Sequence, residues 1–163
     1  MDAETRAYGP EKRRLMAEIL GQGHDLHLQV LGASMLPSLW PHDVLKIERQ
    51  DCNQIATGDV VLVQQDGQFF VHRVVAKEVA GTRFRFLTRG DCMPQMDPPV
   101  WPEDVLGRIS QVHRQRGVRI LKGRVSPLAK LMGRLLCYCA PLRKGALRIH
   151  ARLQWPGSGK KYG

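Results

Sequence analysis

Beyond Asp104 the chain of 163 residues has no aspartate or glutamate. Residues 105–163 carry 14 Lys and Arg, while residues 1–104 carry 11 basic and 15 acidic residues, so the whole net charge of +10 arises in the last third. Such one-sidedness points to a phosphate-bearing partner, either nucleic acid or an anionic lipid surface, with a merely solvated basic face as the plain alternative. Cysteine is scarce, at four residues, which excludes a disulfide scaffold. Aromatics make up 6%, too few for stacking platforms along single-stranded nucleic acid, so nucleic acid is the lesser expectation. No apolar run approaches the ~18 residues of a membrane-spanning helix, and the stretch from Leu135 to Leu142 is broken by Pro141. Residues 1–23 are too charged for the core of a secretory signal. The expectation is a cytoplasmic protein, peripheral to a membrane at most. Apolar residues, at 43%, suffice for one core.

What is present reads as helix, then β body, then basic helical tail, with boundaries at 1–25, 26–125 and 126–163. Residues 11–20 place Leu15, Met16, Ile19 and Leu20 at helical spacing between Pro10 and Gly21. Short β-like runs follow at 27–32, 44–47 and 60–63. Asp66-Gly67 is the strongest hairpin signal and joins VVLVQQ to QFFVHRVV. Residues 83–88 alternate charged and aromatic side chains, as in a half-buried strand. Two more strands are expected at 105–112 and 118–124, around Arg116-Gly117. From Ser126, a candidate N-cap, the period changes: Leu128, Leu131, Met132, Leu135, Leu136 and Cys139 mark one helix face, on which Cys139 reads as a core thiol. A second basic amphipathic stretch spans 142–153, and GSGKKYG reads as a flexible end.

Three places in the β body carry chemistry. Ser34 follows a glycine turn and precedes Met35 and Pro37, an arrangement that could expose a hydroxyl nucleophile; alone it reads as a surface turn serine. His72 lies on a strand with Val71 and Arg73 facing the other side, and a serine nucleophile needs a base that titrates near neutral pH. Asp91 and Asp97 lie in the following loop, and either carboxylate could orient an imidazole; loop aspartates are also common in turns. Weaker signals are His24-x-x-His27, without a convincing third metal ligand, and Cys137-x-Cys139, too tight for a zinc pair. Cys92 adjoins the loop and leaves a Cys–His pair conceivable. No metal and no cofactor is expected.

Together these residues resemble the type I signal peptidase and LexA-like serine peptidase superfamily. Ser34-Met35-x-Pro37 is similar to its nucleophile box, and Leu39 to Leu45 to the next stretch, with His42 where glycine is usual. Gly58-Asp59-Val60-Val61, Leu87 to Asp91, and Asp104 to Arg108 match three further boxes in the family's order. His72 stands where most bacterial members carry the catalytic lysine, as in the endoplasmic-reticulum and archaeal branch. The resemblance implies a mainly β, compact catalytic body, with Ser34 as nucleophile and His72 as general base. It implies that Asp97 orients the imidazole, with Asp91 a second candidate. It implies an extended peptide as substrate, with small residues before the cleaved bond. Oxyanion support would come from backbone N–H groups, chiefly that of Ser34.

Three other functions compete. A self-cleaving LexA-like regulator needs an Ala-Gly or Cys-Gly bond in a linker, whereas Ala80-Gly81 falls inside the body, after the base strand. A nucleic-acid-binding module would use the basic C-terminus but has no recognised motif. An inactive peptidase fold used for protein interaction would have no need of Ser34 and His72. The stretch from 126 to 155 also fits an anionic membrane surface.

Overall fold

The computed structural model describes residues 10–114, 117–121 and 126–154. The expected turn residue Arg116, the end of the last strand at 122–124, and the GSGKKYG end lie outside the described residues. The fold is mainly β: helix α1 (Pro10–Gly21) precedes strands β1 (Leu26–Gln29), β2 (Val44–Glu48), β3 (Val60–Gln65), β4 (Gln68–Ala80), β5 (Arg83–Arg89), β6 (Val105–Arg114) and β7 (Gly117–Ile120). Helices α2 (Pro127–Tyr138) and α3 (Ala140–Gln154) follow. The seven strands form one antiparallel sheet in the order β1-β2-β6-β3-β4-β5, with β7 also paired to β6.

The run Val60-Val61-Leu62-Val63 explains the centre of the sheet. An unbroken apolar strand can be stable only where both its faces are covered. Val60 and Leu62 point into one cluster with Leu39, Leu45, Ile47 and Ile109, sealed by Met16 and Leu20 of α1. Val61 and Val63 point into a second with Ile55, Val74, Phe86 and Val100. Asp66 and Gly67 both adopt positive φ, 50° and 69°, as a two-residue hairpin turn requires. That turn sets the register in which Val61 lies opposite His72.

Strand β4 runs longer than the sequence pattern suggests, to Ala80. Its far half continues as a ribbon with β5, where Val79 is 84% exposed and Glu78 pairs with Arg85 across the strands at 3.1 Å. Phe86, opposite Lys77, anchors the ribbon by its burial, and cross-strand pairing holds the remainder.

His42 adopts a left-handed φ of 72°, the reason glycine suits this position. Its side chain is exposed, and its backbone N–H donates to the carbonyl of Val30 at 2.8 Å, a bond glycine would keep. His42→Gly should therefore raise stability by about 0.5–1 kcal/mol, the relief of the left-handed penalty less the added chain entropy of glycine. A higher midpoint of urea unfolding is the readout.

Candidate active site

Three chain segments converge on Ser34. After β1 the chain doubles back, and Val30 and Asp43 close the neck of the loop through an N–H···O bond of 2.8 Å. Within that loop Met35, Leu36 and Leu39 are buried, which draws the turn down onto the body. Met35, the residue after Ser34, lines an apolar groove together with Leu28, Leu31, Phe69 and Val71. The second segment is β4, which carries His72. The third is the loop after β5: the N–H of Cys92 donates to the carbonyl of Ser34 at 2.7 Å, stapling the two loops together. Gly90 makes that approach possible, since a Cβ there would stand 2.7 Å from the Ser34 carbonyl oxygen and 3.1 Å from His72 Nε2.

The side chains form a continuous line. Ser34 Oγ lies 3.2 Å from His72 Nε2, and His72 Nδ1 lies 2.7 Å from Asp97 Oδ2. A carboxylate only accepts, so Nδ1 carries the ring hydrogen and Nε2 is left to accept from the Ser34 hydroxyl. Ser34 and His72 are each 6% exposed, so this line is shielded from bulk water. The Phe70 ring packs against the imidazole at 5.1 Å between centroids.

Thr88, absent from the sequence candidates, holds the far end. It is fully buried, and its hydroxyl donates to the same Asp97 Oδ2 at 2.7 Å. Its carbonyl also accepts from the Asp97 N–H at 3.0 Å. The alternation of Phe84, Phe86 and Thr88 on one face of β5 is the signal that could have found it.

Asp91 is placed differently. It meets Arg73 through two parallel bonds, Nε to Oδ1 at 2.7 Å and Nη2 to Oδ2 at 2.8 Å, and it accepts from the Ser38 hydroxyl. Arg73 in turn donates to the carbonyl of Gly58 at 2.7 Å. A second two-pronged pair, Arg114 with the fully buried Asp43 at 2.7 Å, ties the other end of the serine loop to β6. Arg73 and Arg114 thus frame the loop from both sides, and neither stood out in the sequence.

The remaining candidates lie apart from this line. Cys92 is buried in a third cluster with Leu36 and Leu136, and burial pushes its thiol above the ordinary value, the reverse of what a nucleophilic cysteine needs. His27 sits edge-on to His113 at 5.7 Å, and among the described residues no group of three or more His, Cys, Asp or Glu could hold a metal ion. Cys139 is only half-buried, at the C-cap of α2, and Cys137 packs against the third cluster instead; the core-thiol reading of Cys139 is corrected accordingly.

The apolar stripe of α2 is divided between two directions. Leu128, Leu131, Met132 and Leu135 face outward, and the helix packs through Gly133, Leu136 and Cys137. A Cβ on Gly133 would stand 2.8 Å from the carbonyl oxygen of Asp91. The missing side chain at Gly133 permits that approach, with Leu136 packed beside it and Leu128, Leu131, Met132 and Leu135 turned away. In α3, His150 stacks on Trp40 at 4.5 Å, so both helices rest on the loops that carry Ser34 and Asp91.

A comparison with curated proteins gives no match. A family model described as Peptidase S24-like matches residues 2–97, more than half of the chain and the span that contains Ser34, His72 and Asp97. The chain belongs to the Peptidase S24-like family, which covers serine peptidases and self-cleaving LexA-like proteins.

Proposed function

We propose that this chain is a serine endopeptidase that cleaves an extended peptide segment in another molecule, with Ser34 as nucleophile, His72 as general base and Asp97 as the carboxylate that orients it. The observation that carries this reading is the unbroken line from Ser34 Oγ through the imidazole to Asp97 Oδ2. With histidine at position 72, the chain is assigned to the endoplasmic-reticulum and archaeal kind of signal-peptidase-like enzyme, in contrast to the lysine-dependent bacterial kind.

In the reaction His72 Nε2 takes the proton of the Ser34 hydroxyl as Oγ attacks the scissile carbonyl carbon. Backbone N–H groups at the serine turn support the negative charge that develops on the carbonyl oxygen. Asp97 stabilises the imidazolium, which then protonates the leaving amine as the C–N bond breaks. Water, deprotonated by the same imidazole, releases the acyl group and restores Ser34. The substrate would lie in the groove between Leu28–Leu31 and Phe69–Val71, bound by main-chain pairing in the manner of an added strand.

Cleavage in trans is favoured over self-cleavage by strand geometry. Ala80-Gly81 sits at the turn ending β4, eight residues beyond His72 on the same strand. At ~3.3 Å per residue that bond is about 26 Å from the imidazole.

The test is incubation of the purified protein with a library of extended peptides, with new termini read by mass spectrometry. Cleavage that persists in Cys92→Ala and vanishes in Ser34→Ala supports the assignment. Cleavage that survives in Ser34→Ala at the wild-type rate refutes it.

A further inference from the structure

The two C-terminal helices present an apolar surface that the fold leaves uncovered. On α2, Leu128, Leu131, Met132, Leu135 and Tyr138 recur at helical spacing and are 44–78% exposed. On α3, Leu142 and Ile149, seven residues apart, are exposed as well, at 47% and 61%. The buried sides of both helices are already used, through Leu136, Cys137, Ala146 and Leu147 against Leu36, Trp40 and Cys92. The outward stripe is therefore surplus to folding, and exposed apolar area of this extent marks an interaction site.

The surrounding charge says what covers it. Residues 126–154 contain six Lys and Arg and no acid, and none of the 15 acidic residues of the chain lies beyond Asp104. Arg134, Lys144 and Arg148 are exposed on these same helices. We infer that α2 and α3 dock on an anionic lipid surface, with the leucine stripe sunk to the boundary of headgroups and acyl chains and the flanking cations among the lipid phosphates.

Two other occupants fit less well. A second copy of the chain, meeting this one about a twofold axis, would set the same uniformly basic surface against itself. A nucleic acid would answer the charge but leave Leu131 and Leu135 in water. An anionic bilayer satisfies the apolar stripe and the cations together, which neither of these two does. Because Gly133 presses on the carbonyl of Asp91 and His150 stacks on Trp40, docking would hold the Ser34 loop close to the bilayer surface. This inference stands on the helices alone and not on the peptidase reading.

The experiment is co-sedimentation of the full chain with vesicles of phosphatidylcholine alone and of phosphatidylcholine with phosphatidylglycerol. Binding is expected with the anionic vesicles and not the neutral ones, and it should weaken as salt is raised. L131Q/L135Q should abolish it, with an unchanged thermal unfolding curve because both side chains are exposed. K144Q/R148Q should weaken it about fivefold per cation removed. Ser34→Ala should bind as wild type, which separates docking from catalysis. Equal pelleting of wild type and L131Q/L135Q would overturn the inference, as would no pelleting with anionic vesicles. Duplex DNA or RNA binding that survives L131Q/L135Q but not K144Q/R148Q, without vesicle binding, would assign the surface to nucleic acid instead. A dimer dispersed by L131Q/L135Q, again without vesicle binding, would assign it to a second copy.

Discussion

Ser34→Ala should lower peptide cleavage by about 10⁴-fold or more, and His72→Ala by a similar factor, because the two act as one unit. The hydroxyl lies 3.2 Å from the imidazole nitrogen that would take its proton. The double variant should be scarcely slower than either single one, since the second removal takes away nothing the first has left working. Asp97→Asn should also cost about 10⁴-fold. Its amide could donate to His72 Nδ1, which would put the ring hydrogen on Nε2 and leave no acceptor for the serine. Thr88→Val offers a finer reading: it removes one donor to Asp97 Oδ2 while preserving shape, and should lower kcat far less than Asp97→Asn. Initial rates at saturating peptide give these ratios. An Asp97→Asn enzyme within tenfold of wild type would show that this carboxylate does not orient the base.

Breaking the Arg73–Asp91 pair should cost about 3–5 kcal/mol of folding stability. Arg73 is 8% exposed, and its guanidinium supplies both bonds to Asp91 as well as those to Gly58 and Ser38. Arg73→Met would leave a carboxylate, a carbonyl and a hydroxyl inside the protein without their donor. Arg73→Lys should rescue little, because a single ammonium cannot make the parallel two-pronged contact. Arg73→Met with Asp91→Leu should recover most of the loss, since an apolar pair of similar volume carries no stranded charge. Urea unfolding of the four proteins measures this. A single Arg73→Met variant as stable as wild type would mean that water reaches Asp91 and replaces the guanidinium. Activity should fall along with stability in Arg73→Met, because Asp91 and Cys92 hold the loop whose backbone grips the Ser34 carbonyl.

Much of the framework was legible one segment at a time. Asp66-Gly67 announced its hairpin because few residue pairs tolerate two consecutive positive φ values. VVLV announced a strand covered on both faces, and the change of period after Ser126 announced α2. Ser34 and His72 stood out because residues of those types can do acyl-transfer chemistry and occupy the matching boxes of a familiar pattern. The partner of His72 was legible only through that resemblance, which put Asp97 ahead of Asp91. Asp91 and Asp97 share one loop and one chemistry, and their sequence spacing does not say which turns inward. In the structure Thr88 closes a backbone bond with Asp97 and delivers its carboxylate to the imidazole, while Arg73, one residue after His72 and on the opposite face of β4, takes Asp91. For the stripe of α2, periodicity marks an apolar face but not the direction it points. The contact of Gly133 with the Asp91 loop decided that direction.

Local order, then, was written in the residues themselves: the turns, the strand periods, the helix caps and the one-sided charge all depend on neighbours a few positions apart. Contacts across 38 residues between Ser34 and His72, and across 25 between His72 and Asp97, were settled by strand register and loop packing. Those depend on which side chains fill the space between segments, a property of the assembled core that no single segment carries.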